Sequence, residues 1–285
     1  MTDVPFGGKD VQCAEYGSAR IVVLPVPYDC TATWQRGADL GPKAILEASA
    51  HVELYDIDTD SEVYLQGIHT AQAASFPESP EELASVIMRQ VSSFIEDGKF
   101  PVILGGNHSI TPGVVRGIKE RYSDLTVLQL DAHTDLRDSY NGSFFNHACV
   151  MARIKELCPI VQVGIRSIDR EELQALDKSR AFFARDMFFS TDWVNRVVEL
   201  LSAHVYVTID LDVFDPSVMP STGTPEPGGL GWYQVMGLLE EVAKKRNVTG
   251  FDVVELMPNV LNKAPDFLAA KLTYQFLSYV FRHRH

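Results

Sequence analysis

Cysteine is scarce in this chain. The 285 residues include four, Cys13, Cys30, Cys149 and Cys158, with no C-x-x-C pair; they are few for a disulfide framework, and a reducing, cytoplasmic compartment is expected. Positive charge is also in deficit: 25 Lys and Arg against 38 Asp and Glu leave a net charge of −13. That field argues against nucleic acid or an anionic membrane as the main partner and suits cationic small molecules and metal ions. No apolar run approaches the roughly 20 residues of a membrane span, and the opening MTDVPFGGKD has neither the basic start nor the apolar core of a signal peptide. In a cytoplasmic protein the sequons at Asn107, Asn141 and Asn247 carry no meaning. Also missing are H-E-x-x-H, a Walker loop, G-x-S-x-G and G-x-G-x-x-G, which removes several familiar routes to hydrolysis and nucleotide binding. With no internal repeat, low-complexity stretch or Ser/Gly linker, one domain over residues 1–285 is the simplest organisation.

What the chain does have is a set of short apolar runs: RIVVLPV (20–26), PVILGG (101–106), LTVLQLD (125–131), IVQVGI (160–165), HVYVTIDLD (204–212) and FDVVEL (251–256). They are apolar nearly throughout rather than alternating, as strands covered on both faces must be. Helical spacing fills the intervals at 80–98, 191–204 and 231–246. In the first of these Leu83, Val86, Ile87 and Val91 share a face, Pro80 suits a start and Gly98 a stop. Strand and helix in alternation predict an α/β fold, three layers with a mainly parallel central sheet between helices. Ligands of such sheets gather at the carboxyl ends of the strands.

Charge sits at those ends. His108 follows one strand; Asp131, His133 and Asp135 follow the next; Asp210 and Asp212 close a third; and Glu255 closes a fourth. If the backbone stays extended, alternation puts Asp131, His133 and Asp135 on one side, and Asp210 with Asp212 likewise. Taken singly, each has an ordinary structural reading as a cap or turn residue. Together, the two imidazoles and four carboxylates of the first three strands make a hard oxygen and nitrogen site. Two divalent ions, at the roughly 3.5–4 Å separation of two-metal centres, would neutralise it. The absence of thiolate favours manganese over zinc, with nickel, cobalt and iron left open.

At these residues the chain resembles the ureohydrolases, the arginases and agmatinases. The similarity rests on GGNHSI (105–110), DAHTD (131–135), TIDLDVFDPSVMPSTGTPEPGGL (208–230) and FDVVELMP (251–258), with further likeness at 25–45 and 162–169. The resemblance implies an arginase-like fold and two Mn2+ ions per subunit. One would be held by His108, Asp131, Asp135 and Asp210, the other by His133, Asp131, Asp210 and Asp212. A hydroxide bridging the ions would attack the guanidinium carbon. Asp135 would orient it and carry its proton, Glu255 would pair with the guanidinium, and His147 would shuttle protons. The plainer reading of His147 is a histidine at a helix start. Family likeness also implies a homo-oligomer, a hexamer or trimer.

The substrate turns on the loop LRDSYNGSFFNH (136–147), which departs from the polar loop of arginases, whereas DLRD followed by HACVMARI (147–154) is similar to agmatinases. Agmatine, giving putrescine and urea, is the expected substrate. Arg137 complicates this, because a free guanidinium would repel a distal ammonium and attract a carboxylate. It keeps guanidinobutyrate, arginine and formiminoglutamate as alternatives, unless it pairs with Asp138 or turns to solvent. Thr224 and Asp169 are further candidates to touch the substrate; Asp169 and Glu172 could equally cap the helix that follows, whose first turn favours acids. A non-catalytic metal-binding protein of the same fold is the alternative of another class. Cys149 either lies near the site or fills its helix, and His283 and His285 read as a solvated end.

Overall fold

The structure is a computed structural model that describes residues 4–8, 15–72 and 77–284; Cys13 and His285 lie outside the described residues. Its frame is one eight-stranded sheet in the order β2-β1-β3-β8-β7-β4-β5-β6. The strands are β1 (Ile21–Val26), β2 (Ile68–Thr70), β3 (Phe100–Gly105), β4 (Leu125–Leu130), β5 (Ile160–Ile165), β6 (Ala181–Phe183), β7 (His204–Asp210) and β8 (Asn247–Val254). Every pairing is parallel.

The helices are α1 (Gly41–Ser49), α2 (Pro80–Glu96), α3 (Thr111–Lys119), α4 (Val150–Lys155), α5 (Ala184–Phe188), α6 (Trp193–Leu200), α7 (Trp232–Lys245) and α8 (Ala264–His283). They cover the sheet on both sides, giving two apolar cores. Residues of α1, α6, α7 and α8 pack with Ile21 and Val23 of β1 and Leu128 and Leu130 of β4. Residues of α2, α3 and α4 pack with Leu24 and Val26 of β1 and Leu125 and Val127 of β4. The strand period of two thus sends neighbouring side chains into different cores, which is why the strands read as continuous apolar runs. Among the described residues no helix is long and apolar enough to cross a membrane.

α2 starts as its sequence predicts, with Pro80 in the first turn and the Ser79 hydroxyl accepting from Glu82 N at 3.3 Å. On its buried face Ala84 joins Leu83, Ile87 and Val91, while Val86 is only half-buried. β8 starts at Asn247 rather than Phe251, and α6 is shorter than the 191–204 pattern suggested. The edge strands β2 and β6 have three residues each, too few to leave a periodic signal. α8 runs over 20 residues, and buried side chains from Leu272 to Val280 lie along it, so the tail is largely core.

Candidate active site

The four neighbouring strands at the centre of the sheet, β3, β8, β7 and β4, deliver the charged groups at their carboxyl ends. His108 begins a 3-10 turn capped by Asn107 just after β3. Asp131 follows β4 directly, Asp210 is the last residue of β7, and Glu255 follows β8.

The extended-backbone premise fails for DAHTD: β4 stops at Leu130, and Asp135 takes φ +52. The cluster is assembled by turn hydrogen bonds instead. Asp131 Oδ1 accepts from His133 N at 2.6 Å, Asp212 Oδ1 from Ala132 N at 2.9 Å, and Asp210 Oδ1 from Asp212 N at 2.9 Å. Glu255, at φ +66, accepts from His108 N at 2.6 Å. Left-handed backbone at two non-glycine residues costs roughly 1–2 kcal/mol each, and both lie where the charged groups converge.

His108 Nδ1 lies 3.2 Å from Asp131 Oδ2, 3.1 Å from Asp135 Oδ2 and 3.4 Å from Asp210 Oδ2. His133 Nδ1 lies 2.9 Å from Asp212 Oδ2 and 3.6 Å from Asp131 Oδ1. Two groups that could each hold a metal ion result, His108 with Asp131 and Asp135, and Asp131 with His133 and Asp212, so Asp131 belongs to both. The His108 ring is oriented from behind. Thr208 Oγ1 donates to Asp252 Oδ1 at 2.5 Å and therefore accepts from His108 Nε2 at 2.8 Å. That leaves Nδ1, buried and without a hydrogen-bond partner, as the nitrogen that faces the carboxylates and would bind an ion once its proton is displaced. The donor set and this orphaned nitrogen fit a pair of divalent ions.

Electrostatics agree. Burial and the neighbouring Asp131 push Asp135 up to about 7, while burial with Asp212 and Asp131 raises Asp210 well above the carboxylate range. Against the penalty of burial, the surrounding carboxylates hold His108 well above its ordinary value and push His133 up to about 12. In the metal-free chain, protons do the neutralising that cations would otherwise do.

The pocket above this cluster has a volume of about 190 Å³. Arg137, His147 and Thr224 line it together with His108, His133, Asp135, Asp210, Asp212 and Glu255. Asp131 is fully buried beneath. His147 both begins a 3-10 turn and faces the pocket, so its two readings coexist. Burial lowers it to about 4, against a smaller upward pull from the Thr31 backbone.

Asp169 is not among the lining residues. It caps the turn Arg170–Gln174 in a capping box with Glu172 and receives Arg137 Nη2 at 2.8 Å; Glu171 takes Nη1 of the same arginine. Arg137 thus pairs with Asp169 and Glu171 rather than with Asp138, which binds Arg153. Its guanidinium also lies 4.8 Å over the Tyr140 ring. Glu172 is buried, accepting from Thr134 Oγ1 and Leu136 N. Cys149 is buried and Cys30 exposed, both free.

Sequence reasoning missed several supporting groups. Gln129, buried, donates to Asp131 Oδ2 at 2.7 Å and accepts from Gln162. Arg166 donates to the carbonyls of Asp212, Phe214 and Glu226, stapling down the loop that carries Thr224. Trp34, 76% exposed, and Tyr140 stand at the pocket wall. Polar residues at strand centres, such as Gln129 and Thr208, were the available signal, since apolar strands admit them only for a partner.

The arginase family's sequence profile matches residues 19–278. This chain belongs to the arginase family. Among its relatives, the N(1)-aminopropylagmatine ureohydrolase of Synechocystis sp. is 39% identical, over 93% of this chain and 90% of that protein. The agmatinase of Pyrococcus horikoshii is 36% identical, over 95% and 94%. Among solved structures, the agmatine ureohydrolase of Thermoplasma volcanium superposes with a TM-score of 0.88 at 32% identity, covering 99% of this chain and 96% of that one. As an arginase-family member the chain is a ureohydrolase, a hydrolase of amidino C–N bonds. The family is binuclear and metal-dependent, which the two groups meeting at Asp131 suit.

Proposed function

We propose that this single-domain chain hydrolyses the guanidinium group of agmatine, with His108, Asp131, His133, Asp135, Asp210 and Asp212 holding two manganese ions. The carrying observation is the pair of ligand groups joined at Asp131, with the Glu255 carboxylate beside them in the same open pocket. When bound, the metal pair supplies a water nucleophile at neutral pH and the positive charge that stabilises the transition state.

The chain's own residues do the rest. Glu255, held by His108 N, receives the planar cation through charge-assisted hydrogen bonds and fixes its carbon over the cluster. Asp135, at the pocket wall, takes a proton from the attacking water. His147, neutral near pH 7, passes protons between the pocket and the departing amine. Thr224 borders the guanidinium end.

Arg137 raises no barrier to a distal ammonium, because Asp169 and Glu171 together outweigh its charge. Among the described residues that line the pocket, Arg137 is the one Lys or Arg and it is paired, so agmatine is favoured over arginine and guanidinobutyrate. A second reading is favoured by the relatives named for N(1)-aminopropylagmatine and by the exposed Trp34 at the pocket wall. In it the substrate carries an aminopropyl arm, its cations meet aromatic faces, and the products are urea and spermidine.

The test is urea release by manganese-loaded protein from agmatine, N(1)-aminopropylagmatine, arginine and guanidinobutyrate. Either agmatine form should exceed the other two by at least about 100-fold in kcat/KM, about 2.7 kcal/mol. Faster release from arginine would overturn the reading, and the ranking of the two agmatines decides between its forms.

A further inference from the structure

We infer that Thr31 is the positioning residue of His147, with Asn107 fixing Thr31 from behind; the inference rests on the reading of His147 as a proton carrier. Thr31 lies in the loop after β1 and is 9% exposed, Asn107 1%. Asn107 Oδ1 accepts from Ser109 Oγ at 2.6 Å and Ser109 N at 3.3 Å, so its amide nitrogen must point the other way. There Nδ2 donates to Thr31 Oγ1 at 2.7 Å. The same hydroxyl oxygen accepts from His147 N at 3.3 Å and shares a hydrogen bond with His147 Nδ1 at 3.2 Å.

Thr31 therefore grips His147 at two points, backbone and ring, across 116 residues of chain. The edge contact with Tyr140, centroids 6.2 Å apart at 84°, limits the ring on another side. A histidine with Nδ1 engaged exchanges protons with the pocket through Nε2 alone, so the ring's orientation decides whether it does so. Its backbone cannot set that orientation, because χ1 and χ2 are free until something holds the ring. Asn107 also caps the turn that begins with His108, so one amide ties the proton carrier to the ligand cluster.

The experiment compares Thr31→Val, which keeps the volume and loses the hydroxyl, with Thr31→Ser, which keeps the hydroxyl, in manganese-loaded protein of verified metal content. Thr31→Val should lower kcat by roughly 10- to 100-fold, part of the roughly 10²–10⁴-fold that a general acid–base group contributes, with KM within about twofold; Thr31→Ser should stay within about threefold of the parent. Nitrogen NMR of the metal-free protein should show the His147 Nδ1 resonance shifted in Thr31→Val and retained in Thr31→Ser.

Double variants separate the two ideas. In a His147→Ala background Thr31→Val should have no further effect. If His147→Ala itself keeps full kcat, the reading of His147 as proton carrier falls. If His147→Ala is impaired but Thr31→Val is not, or the two losses multiply, or Thr31→Val loses metal in proportion to kcat, the positioning role falls.

Discussion

His108 Nδ1 and Asp135 Oδ2 stand 3.1 Å apart in a buried pocket floor, and the nitrogen makes no hydrogen bond. Two positions this close are bridged by a proton or served by a cation between the groups, and the two compete. Because Asp135 is pushed up to about 7 and His133 to about 12 in the metal-free chain, metal uptake must displace protons. Affinity should therefore rise with pH, most steeply below about pH 7, where Asp135 also has a proton to lose, and less steeply above it. Calorimetric titrations with Mn2+ in buffers of different ionisation enthalpy should show more than one proton released per chain. Binding heats independent of the buffer would refute this.

Asp131 belongs to both ligand groups, whereas Asp212 belongs to one. Asp131→Ala should therefore remove both ions and at least about 10³-fold of kcat, while Asp212→Ala should retain one ion in the group that includes His108 and Asp135. Metal counted by mass spectrometry after desalting checks this. Equal loss in the two variants would contradict the sharing.

Much of this arrangement was legible in the sequence because a strand buried on both faces has little choice of composition. Runs such as IVQVGI mark β5 to the residue, and a cluster of charge at the end of such a run is conspicuous. What was not legible has two physical causes. β2 and β6 are three residues long and carry no period. The contacts between distant loops, such as Thr31 with His147 or Arg137 with Asp169, depend on side-chain reach that linear spacing does not encode. The route to the cluster was also misjudged: Asp135 reaches His108 through a left-handed turn rather than along a strand.

That turn has a measurable cost. Asp135 and Glu255 hold φ at +52 and +66, a region where a Cβ is disfavoured and glycine is not. In the metal-free protein Asp135→Gly should be more stable than Asp135→Ala by about 1 kcal/mol, since only alanine keeps the strain. Glu255→Gly should exceed Glu255→Ala in the same sense, with all of these variants inactive. Urea denaturation in the presence of a chelator measures the differences; alanine equal to or better than glycine at both positions would show that no strain is stored.

The adjacent glycines before the His108 turn should differ sharply in what they tolerate. A Cβ on Gly105 would meet Val254 Cγ1 at 2.7 Å and Ile110 Cγ1 at 3.0 Å, side-chain atoms that can give way. One on Gly106 would lie 2.0 Å from the Tyr28 carbonyl oxygen and 2.8 Å from Tyr28 N, which are backbone. Gly106 is fixed on both sides, donating to Val26 O at 2.9 Å and accepting from Glu255 N at 2.7 Å, so it cannot step aside. Relief would have to displace the loop after β1, which carries Thr31, or the turn that carries Glu255. Gly106→Ala should therefore cost at least about 3 kcal/mol, the upper end for overpacking, and lose activity along with stability. Gly105→Ala should cost about 1–2 kcal/mol and keep most of its activity. Thermal melts and urea release on the two variants test the order, and a Gly106→Ala protein as stable and active as Gly105→Ala would mean that this backbone contact does not hold the site together.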